Sequence, residues 1–181
     1  MPYVNLSNVT ESGGARSFDI EPGAYVLFVT RVEVPVTRVE EPEERDYVFF
    51  EWDVAEGPEA MHYANANFPP RDVVSWKERA LPMLKHKLHV LADANPGFDA
   101  EGAFYRDQWE QFSGKQFGAV VRKRLYSKKD GSDGEGVEVG RWITPAEVRA
   151  GQWKPMEPRD TRTAKPAQPA RPAMATEDIP F

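Results

Sequence analysis

The 181-residue sequence contains no cysteine. This absence excludes a disulfide framework and a thiolate zinc site, and it is typical of proteins from a reducing compartment. No apolar run approaches the roughly 20 residues that a membrane-spanning helix needs. The N-terminal stretch MPYVNLSNVTESGG also lacks the basic and apolar regions of a signal peptide. We therefore expect a cytoplasmic protein that does not associate with a membrane.

Patterns that usually accompany catalysis are equally scarce. The sequence has no glycine-rich phosphate loop after a strand and no nucleophile elbow. His86 and His89 are three residues apart on a predicted helix, but no third ligand follows in register, so a metal site is not predicted. Glu51 and Asp53 share a strand face, as some nuclease carboxylates do, which leaves a metal-dependent nuclease as an alternative. We expect a protein that is not an enzyme and needs no cofactor.

Charge is unevenly distributed along the chain. The net charge is −6, and residues 1–60 contain 4 basic and 13 acidic side chains. Residues 61–181, in contrast, contain 19 basic and 16 acidic side chains. From Lys115 to Lys129 there are six basic side chains and no acidic one. A local positive field of this kind attracts a polyanion even when the whole chain is acidic.

The hydrophobic pattern predicts three strands, a helix and two further strands. Segments rich in β-branched and aromatic residues indicate the strands, at residues 23–34, 46–54, 61–68, 115–126 and 137–143. Apolar residues then recur at helical spacing from Trp76, with Ser75 as a capping residue and Pro82 expected to kink the helix. A shorter helix is predicted within residues 103–112, and Thr144 begins a compact capped turn. This order predicts a mostly-β protein, a five-stranded OB-fold barrel with its helix between strands three and four.

Alternation along the second strand separates a core face from a solvated face. The predicted core consists of alternate residues of this strand with the apolar face of the fourth strand and of the helix, namely Val48, Phe50, Trp52, Val54, Phe117, Val121, Leu84 and Leu88. Tyr47 and Phe49 lie on the opposite, half-solvated face. Arg122, Arg124 and Tyr126 share one face of the fourth strand.

Aromatic rings beside basic side chains are what a sequence-tolerant groove for single-stranded nucleic acid needs. Rings stack on bases, and cations neutralise phosphates. The predicted DNA-binding residues are Tyr47, Phe49, Tyr63, Lys115, Arg122, Arg124, Tyr126, Lys128 and Lys129. Two alternatives stay open: the rings pack under the acidic loop or the N-terminal segment, and the Lys/Arg run protects an edge strand.

The C-terminal part has a different character. After Trp153, proline and alanine dominate and no apolar period survives, which predicts a disordered linker. The chain then ends in EDIPF, residues 177–181. The Phe181 ring can fill an apolar pocket on a partner, and its carboxylate can pair with a basic residue there. Pro180 limits the conformational freedom lost on binding, and the side chains of Glu177 and Asp178 can meet a basic rim.

These last residues resemble the C-terminal tip of bacterial single-stranded DNA-binding proteins. Asp178, Ile179, Pro180 and Phe181 match the family's terminal Asp-Ile-Pro-Phe residue for residue. The resemblance implies an OB-fold DNA-binding domain, a disordered linker, and a tip that recruits replication, recombination and repair proteins. Residues 18–153 are similar in element order to the divergent single-strand-binding proteins of phages and mobile elements. Only two acids precede Ile179, and the linker is rich in Arg, Pro and Ala rather than in Gly and Gln.

The expected organisation follows from these observations. It comprises a flexible N-terminal segment at 1–19, an OB-fold nucleic-acid-binding domain at 20–153, a disordered linker at 154–174 and an acidic partner-binding tip at 175–181. We expect sequence-independent binding of single-stranded DNA in replication, recombination and repair. The alternative is a replisome or recombination adaptor that binds proteins but not DNA. The oligomeric state, a homo-oligomer included, stays open.

Overall fold

The computed structural model describes residues 19–35 and 46–162. The predicted tip, most of the predicted linker and all but the last residue of the predicted N-terminal segment lie outside the described residues. The strands are β1 (Gly23–Glu33), β2 (Tyr47–Val54), β3 (Arg71–Ser75), β4 (Gln116–Ser127), β5 (Asp133–Ile143) and β6 (Arg159–Asp160). The α-helices are α1 (Leu81–Ala94), α2 (Ala100–Tyr105) and α3 (Pro145–Arg149).

The strands form one sheet in the order β3-β2-β1-β4-β5. These five strands pair antiparallel, whereas the two-residue β6 runs parallel to β4 beside Arg124 and Leu125. The mostly-β class and a helix between the third and fourth strands are confirmed. Backbone pairing leaves the sheet open, because β3 and β5 are edge strands that do not hydrogen-bond to each other through their main chains.

The core lies on the predicted face of the sheet. Val48, Phe50, Trp52 and Val54 are all 0% exposed, as the alternation along β2 predicts. Phe117 of β4 stacks on Trp142 of β5 with ring centroids 3.9 Å apart. The helix α1 covers this layer with an apolar face that includes the buried Leu84, Leu88 and Leu91. This burial fixes which face of each strand can meet a ligand.

The predicted third strand is wrong. Residues 61–68 form turns, and β3 starts only at Arg71. The reason is the buried Asp53 carboxylate, whose Oδ1 accepts hydrogen bonds from the backbone N–H of Val54 (2.7 Å) and of Tyr63 (2.9 Å). Met61 adopts a left-handed φ of 60°, which a continuing strand does not allow. The chain therefore folds back over Trp52 before it pairs.

The start of the long helix also differs from the prediction. Ser75 ends β3, and its hydroxyl donates to the Asp46 carbonyl (2.8 Å) instead of capping a helix. The α-helix begins at Leu81, so Pro82 lies in the first turn, where a missing N–H costs no hydrogen bond and no kink follows. The sequence Asn95-Pro96-Gly97, which is expected to stop a helix, follows Ala94, the last helical residue.

The shorter helices and the chain after α3 agree with the predictions in part. The predicted helix at 103–112 is divided into α2 and a 3-10 turn at Trp109–Phe112. Thr144 and Glu147 form the predicted capping box at the start of α3. Residues 154–162, which fall in the predicted linker, include β6. Within the described residues, no helix is long and apolar enough to cross a membrane.

Candidate nucleic-acid interface

A groove of about 620 Å³ lies between the two edge strands, β3 and β5. Its floor is a network of side chains around Asp72 of β3. The Asp72 carboxylate accepts hydrogen bonds from Trp142 Nε1 of β5 (2.7 Å) and from Lys87 Nζ of α1 (2.5 Å). The Lys87 ammonium also donates to the Val73 carbonyl (2.9 Å). These bonds join the two sheet edges where their backbones do not pair.

The groove is strongly basic in a chain whose net charge is negative. Two acidic side chains line it, Asp72 and Glu138. Six basic side chains line it as well, and they are Arg71, Lys87, Arg122, Arg124, Arg141 and Arg159. A concave surface with such an excess of cations attracts an anion and concentrates the field at its walls. The groove is therefore positively charged, although the net charge of the whole protein is negative.

The six cations are not equally available to a ligand. Lys87 is held by Asp72, and Arg122 makes an ion pair with Glu138 at 2.8 Å. Arg71 is 3.0 Å from Glu33. Arg124 and Arg141, by contrast, form no ion pair among the described residues. Because both are also exposed, these two guanidinium groups can meet phosphates without first breaking an ion pair.

One wall of the groove carries an aromatic platform. Phe49 lines the groove and is half-buried. The Tyr47 ring meets it edge-on with centroids 5.3 Å apart, and the Arg71 guanidinium lies 5.4 Å from the Phe49 centroid. A ring fixed between a second ring and a cation keeps one orientation, which suits it for stacking on a base.

The predicted site residues fall into distinct groups. Phe49, Arg122 and Arg124 line the groove, and Tyr47 adjoins it. Tyr126 lies beside Arg124, whose guanidinium is 5.7 Å from its ring centroid. The Tyr126 ring covers Gly134 on the neighbouring strand, where a Cβ would approach it to 2.7 Å.

The other predicted residues lie elsewhere. Tyr63 is only 4% exposed, and burial raises the pKa of its hydroxyl, which accepts a hydrogen bond from Ile20 N–H at 3.1 Å. The prediction that Tyr63 offers a stacking face is therefore wrong. Lys115 lies 4.7 Å from the Phe98 ring centroid, and it does not line the groove. Lys128 and Lys129 are exposed at the tip of the β4–β5 hairpin, also outside it.

Four of the six basic residues that line the groove are not among the residues predicted from the sequence. Arg71 lies outside the third strand predicted at residues 61–68. Arg159 fell in the predicted linker, and Lys87 looked like an ordinary helix residue. Arg141 alternates with the buried Trp142 along β5, which is a usable signal for an outward position. These four side chains come together only because β3, α1, β5 and β6 converge.

The carboxylates of the nuclease alternative have structural partners. Glu51 accepts two hydrogen bonds from Arg31, at 2.9 and 3.1 Å, while Asp53 holds the turn at Tyr63. His86 Nε2 lies 3.0 Å from the Trp142 carbonyl oxygen. Across residues 19–35 and 46–162, no group of three His, Asp or Glu side chains is arranged to hold a metal ion. These contacts give no support to a metal-dependent reaction at Glu51 and Asp53.

Comparison with known proteins does not assign the chain to a family. No protein-family model matches it, and no curated protein matches its sequence. The arguments that follow therefore rest on the geometry of the groove and on the sequence itself.

Proposed function

We propose that this protein binds single-stranded DNA without sequence preference in the groove between β3 and β5. The observation that carries the proposal is that Arg124, Arg141 and the Phe49 ring line the same groove. Neither arginine has an ion-pair partner among the described residues. Cations along a groove follow the phosphate backbone, and a ring face stacks on any base. Neither interaction depends on which base is present.

An OB-type barrel is the fold that we propose for this domain. Its support is the strand order, the position of α1 between β3 and β4, and the Asp72–Trp142 hydrogen bond of 2.7 Å between the two edge strands. In this interpretation side chains complete the closure that the backbone leaves open. The groove then corresponds to the place where the barrel's edges meet.

The test is a titration of fluorescently labelled oligo-dT, followed by anisotropy, at several salt concentrations. We expect binding at low salt that weakens steeply between about 50 and 200 mM, because each neutralised phosphate releases counterions. Duplex DNA of equal length serves as the competitor and should compete poorly, since its bases are not free to stack. A lack of oligo-dT binding at low salt would refute the proposal.

The C-terminal residues favour a second role. Residues 177–181 end in the Asp-Ile-Pro-Phe that resembles the partner-recruiting tip of bacterial single-stranded DNA-binding proteins. We propose that this tip recruits replication, recombination or repair proteins to the bound strand. An adaptor that binds only proteins is the competing function. Loss of partner binding on removal of the tip, without any oligo-dT binding by the intact chain, would favour the adaptor.

A further inference from the structure

Residues 154–162, the strap, pass from α3 back over the β4–β5 hairpin. Met156 packs on Gly140 of β5, where a Cβ would meet its sulfur at 2.6 Å and the Arg122 Cδ at 3.2 Å. Further on, Arg159 and Asp160 form β6 beside Arg124 and Leu125 of β4. The strap therefore lies on β5 at Gly140, next to Arg122, and pairs with β4 at Arg124.

The strap also contributes a charged side chain to the groove. Arg159 lines the groove and lies 3.7 Å from the Glu138 carboxylate. The same carboxylate pairs with Arg122 at 2.8 Å. Glu138 is thus shared by one arginine of the hairpin and one of the strap. A ligand phosphate at Arg122 would have to compete with this arrangement.

Few interactions hold the strap in place. The Thr161 backbone N–H and hydroxyl both donate to the Leu125 carbonyl, at 2.8 and 2.9 Å. Arg162 turns back onto Asp160 within the strap, and its hydrogen bonds lower the pKa of that carboxyl group to about 2. Its guanidinium also makes an exposed ion pair with Asp133 of β5 at 3.5 Å. Apart from Met156, every strap residue is exposed. Exposed ion pairs and a two-residue strand stabilise such a segment weakly, so it can be displaced.

We propose that the strap is a displaceable cover of the groove, and that single-stranded DNA and the strap compete for the β4–β5 face around Arg122 and Arg124. The inference rests on the proposed function. The direction of the change in DNA affinity on release of the strap distinguishes competition from a charge effect, because the strap carries three basic and two acidic side chains. On charge alone, releasing a net-positive segment from the groove should weaken DNA binding. Competition for space predicts that release strengthens it.

The absence of cysteine allows a direct test in the full-length chain. Leu125 and Asp160 are neighbours across the β4–β6 pair, so the double variant Leu125→Cys/Asp160→Cys can lock the strap when oxidised and release the lock when reduced. We expect the oxidised form to bind labelled oligo-dT about tenfold more weakly than the reduced form, a difference of about 1.4 kcal/mol. The single variant Leu125→Cys, which cannot form the bond, should bind equally well in both conditions.

A second variant moves the strap in the opposite direction. Thr161→Pro removes both donors to the Leu125 carbonyl, whereas the matched control Thr161→Ser keeps them. Thr161→Pro should bind oligo-dT more tightly than Thr161→Ser. Weaker binding by Thr161→Pro, or equal binding by the oxidised and reduced double-cysteine protein, would overturn the competition. If no form binds oligo-dT at low salt, the proposed function fails and the competition fails with it.

Discussion

Replacing Arg124 and Arg141 together by alanine is the sharpest test of the groove. Both side chains are exposed, line the groove and lack an ion pair among the described residues. Their removal should leave the free energy of unfolding within about 0.5 kcal/mol of the wild-type value, because exposed unpaired positions contribute little to stability. An effect on DNA binding can then be assigned to lost phosphate contacts rather than to unfolding.

The expected magnitude follows from counterion release. On a single strand each neutralised phosphate contributes about 0.7 to the slope of log K against log salt, so the double variant should flatten the slope by about 1.4. If the contacts contribute nothing near 1 M salt, the same slope change corresponds to about a 25-fold loss of affinity near 0.1 M. Anisotropy titrations of labelled oligo-dT at four or more salt concentrations measure both quantities.

A matched control separates local contacts from total charge. Arg106 also carries an exposed guanidinium, but it pairs with Asp99, the residue before α2, and does not line the groove. Arg106→Ala should therefore leave the salt slope unchanged. Arg122→Ala is less informative, because it deprives Glu138 of its 2.8 Å partner as well. An unchanged slope in the Arg124/Arg141 variant, or an equal flattening in Arg106→Ala, would refute the assignment of these two arginines.

Other perturbations test the fold, the platform, the capping box and the tip. Phe50→Ala should cost about 3–5 kcal/mol of unfolding free energy in urea titrations, since Phe50 is 0% exposed, and a loss below about 1 kcal/mol would contradict its inward position. Phe49→Ala should weaken oligo-dT binding by about 1–3 kcal/mol with an unchanged salt slope, whereas a flattened slope would argue against stacking. The Thr144 N–H lowers the pKa of Glu147, so the stability that wild type has over Glu147→Gln should be present above the ordinary glutamate pKa. That difference should disappear as the pH falls through the lowered value in thermal melts, and a constant difference would exclude the ionic contribution. Deleting residues 177–181 should leave folding and oligo-dT binding intact or slightly tighter but abolish pull-down of replication and repair proteins, and Phe181→Ala should reproduce most of that loss.

Local sequence determined four of the five predicted strands and the core face. Alternation at every second residue of β2 is enough to place Phe50 and Trp52 inside and Phe49 outside, because a pleated strand allows no other arrangement. The capping box at Thr144 and Glu147 is equally local, since both partners lie within one helical turn. The role proposed for the terminal Asp-Ile-Pro-Phe also rests on four consecutive residues, and it stays a prediction.

Only the tertiary structure decided where the β2–β3 connection turns and which cations share a groove. The turn depends on the buried Asp53 carboxylate reaching the backbone of Tyr63, and strand propensity at residues 61–68 does not reveal that bond. The groove depends on β3 and β5 meeting through Asp72 and Trp142, which are 70 residues apart. Arg71, Arg141 and Arg159 become neighbours because the sheet brings its edges together. A positive field of this kind is a sum over positions in space, and the order of residues along the chain does not contain it.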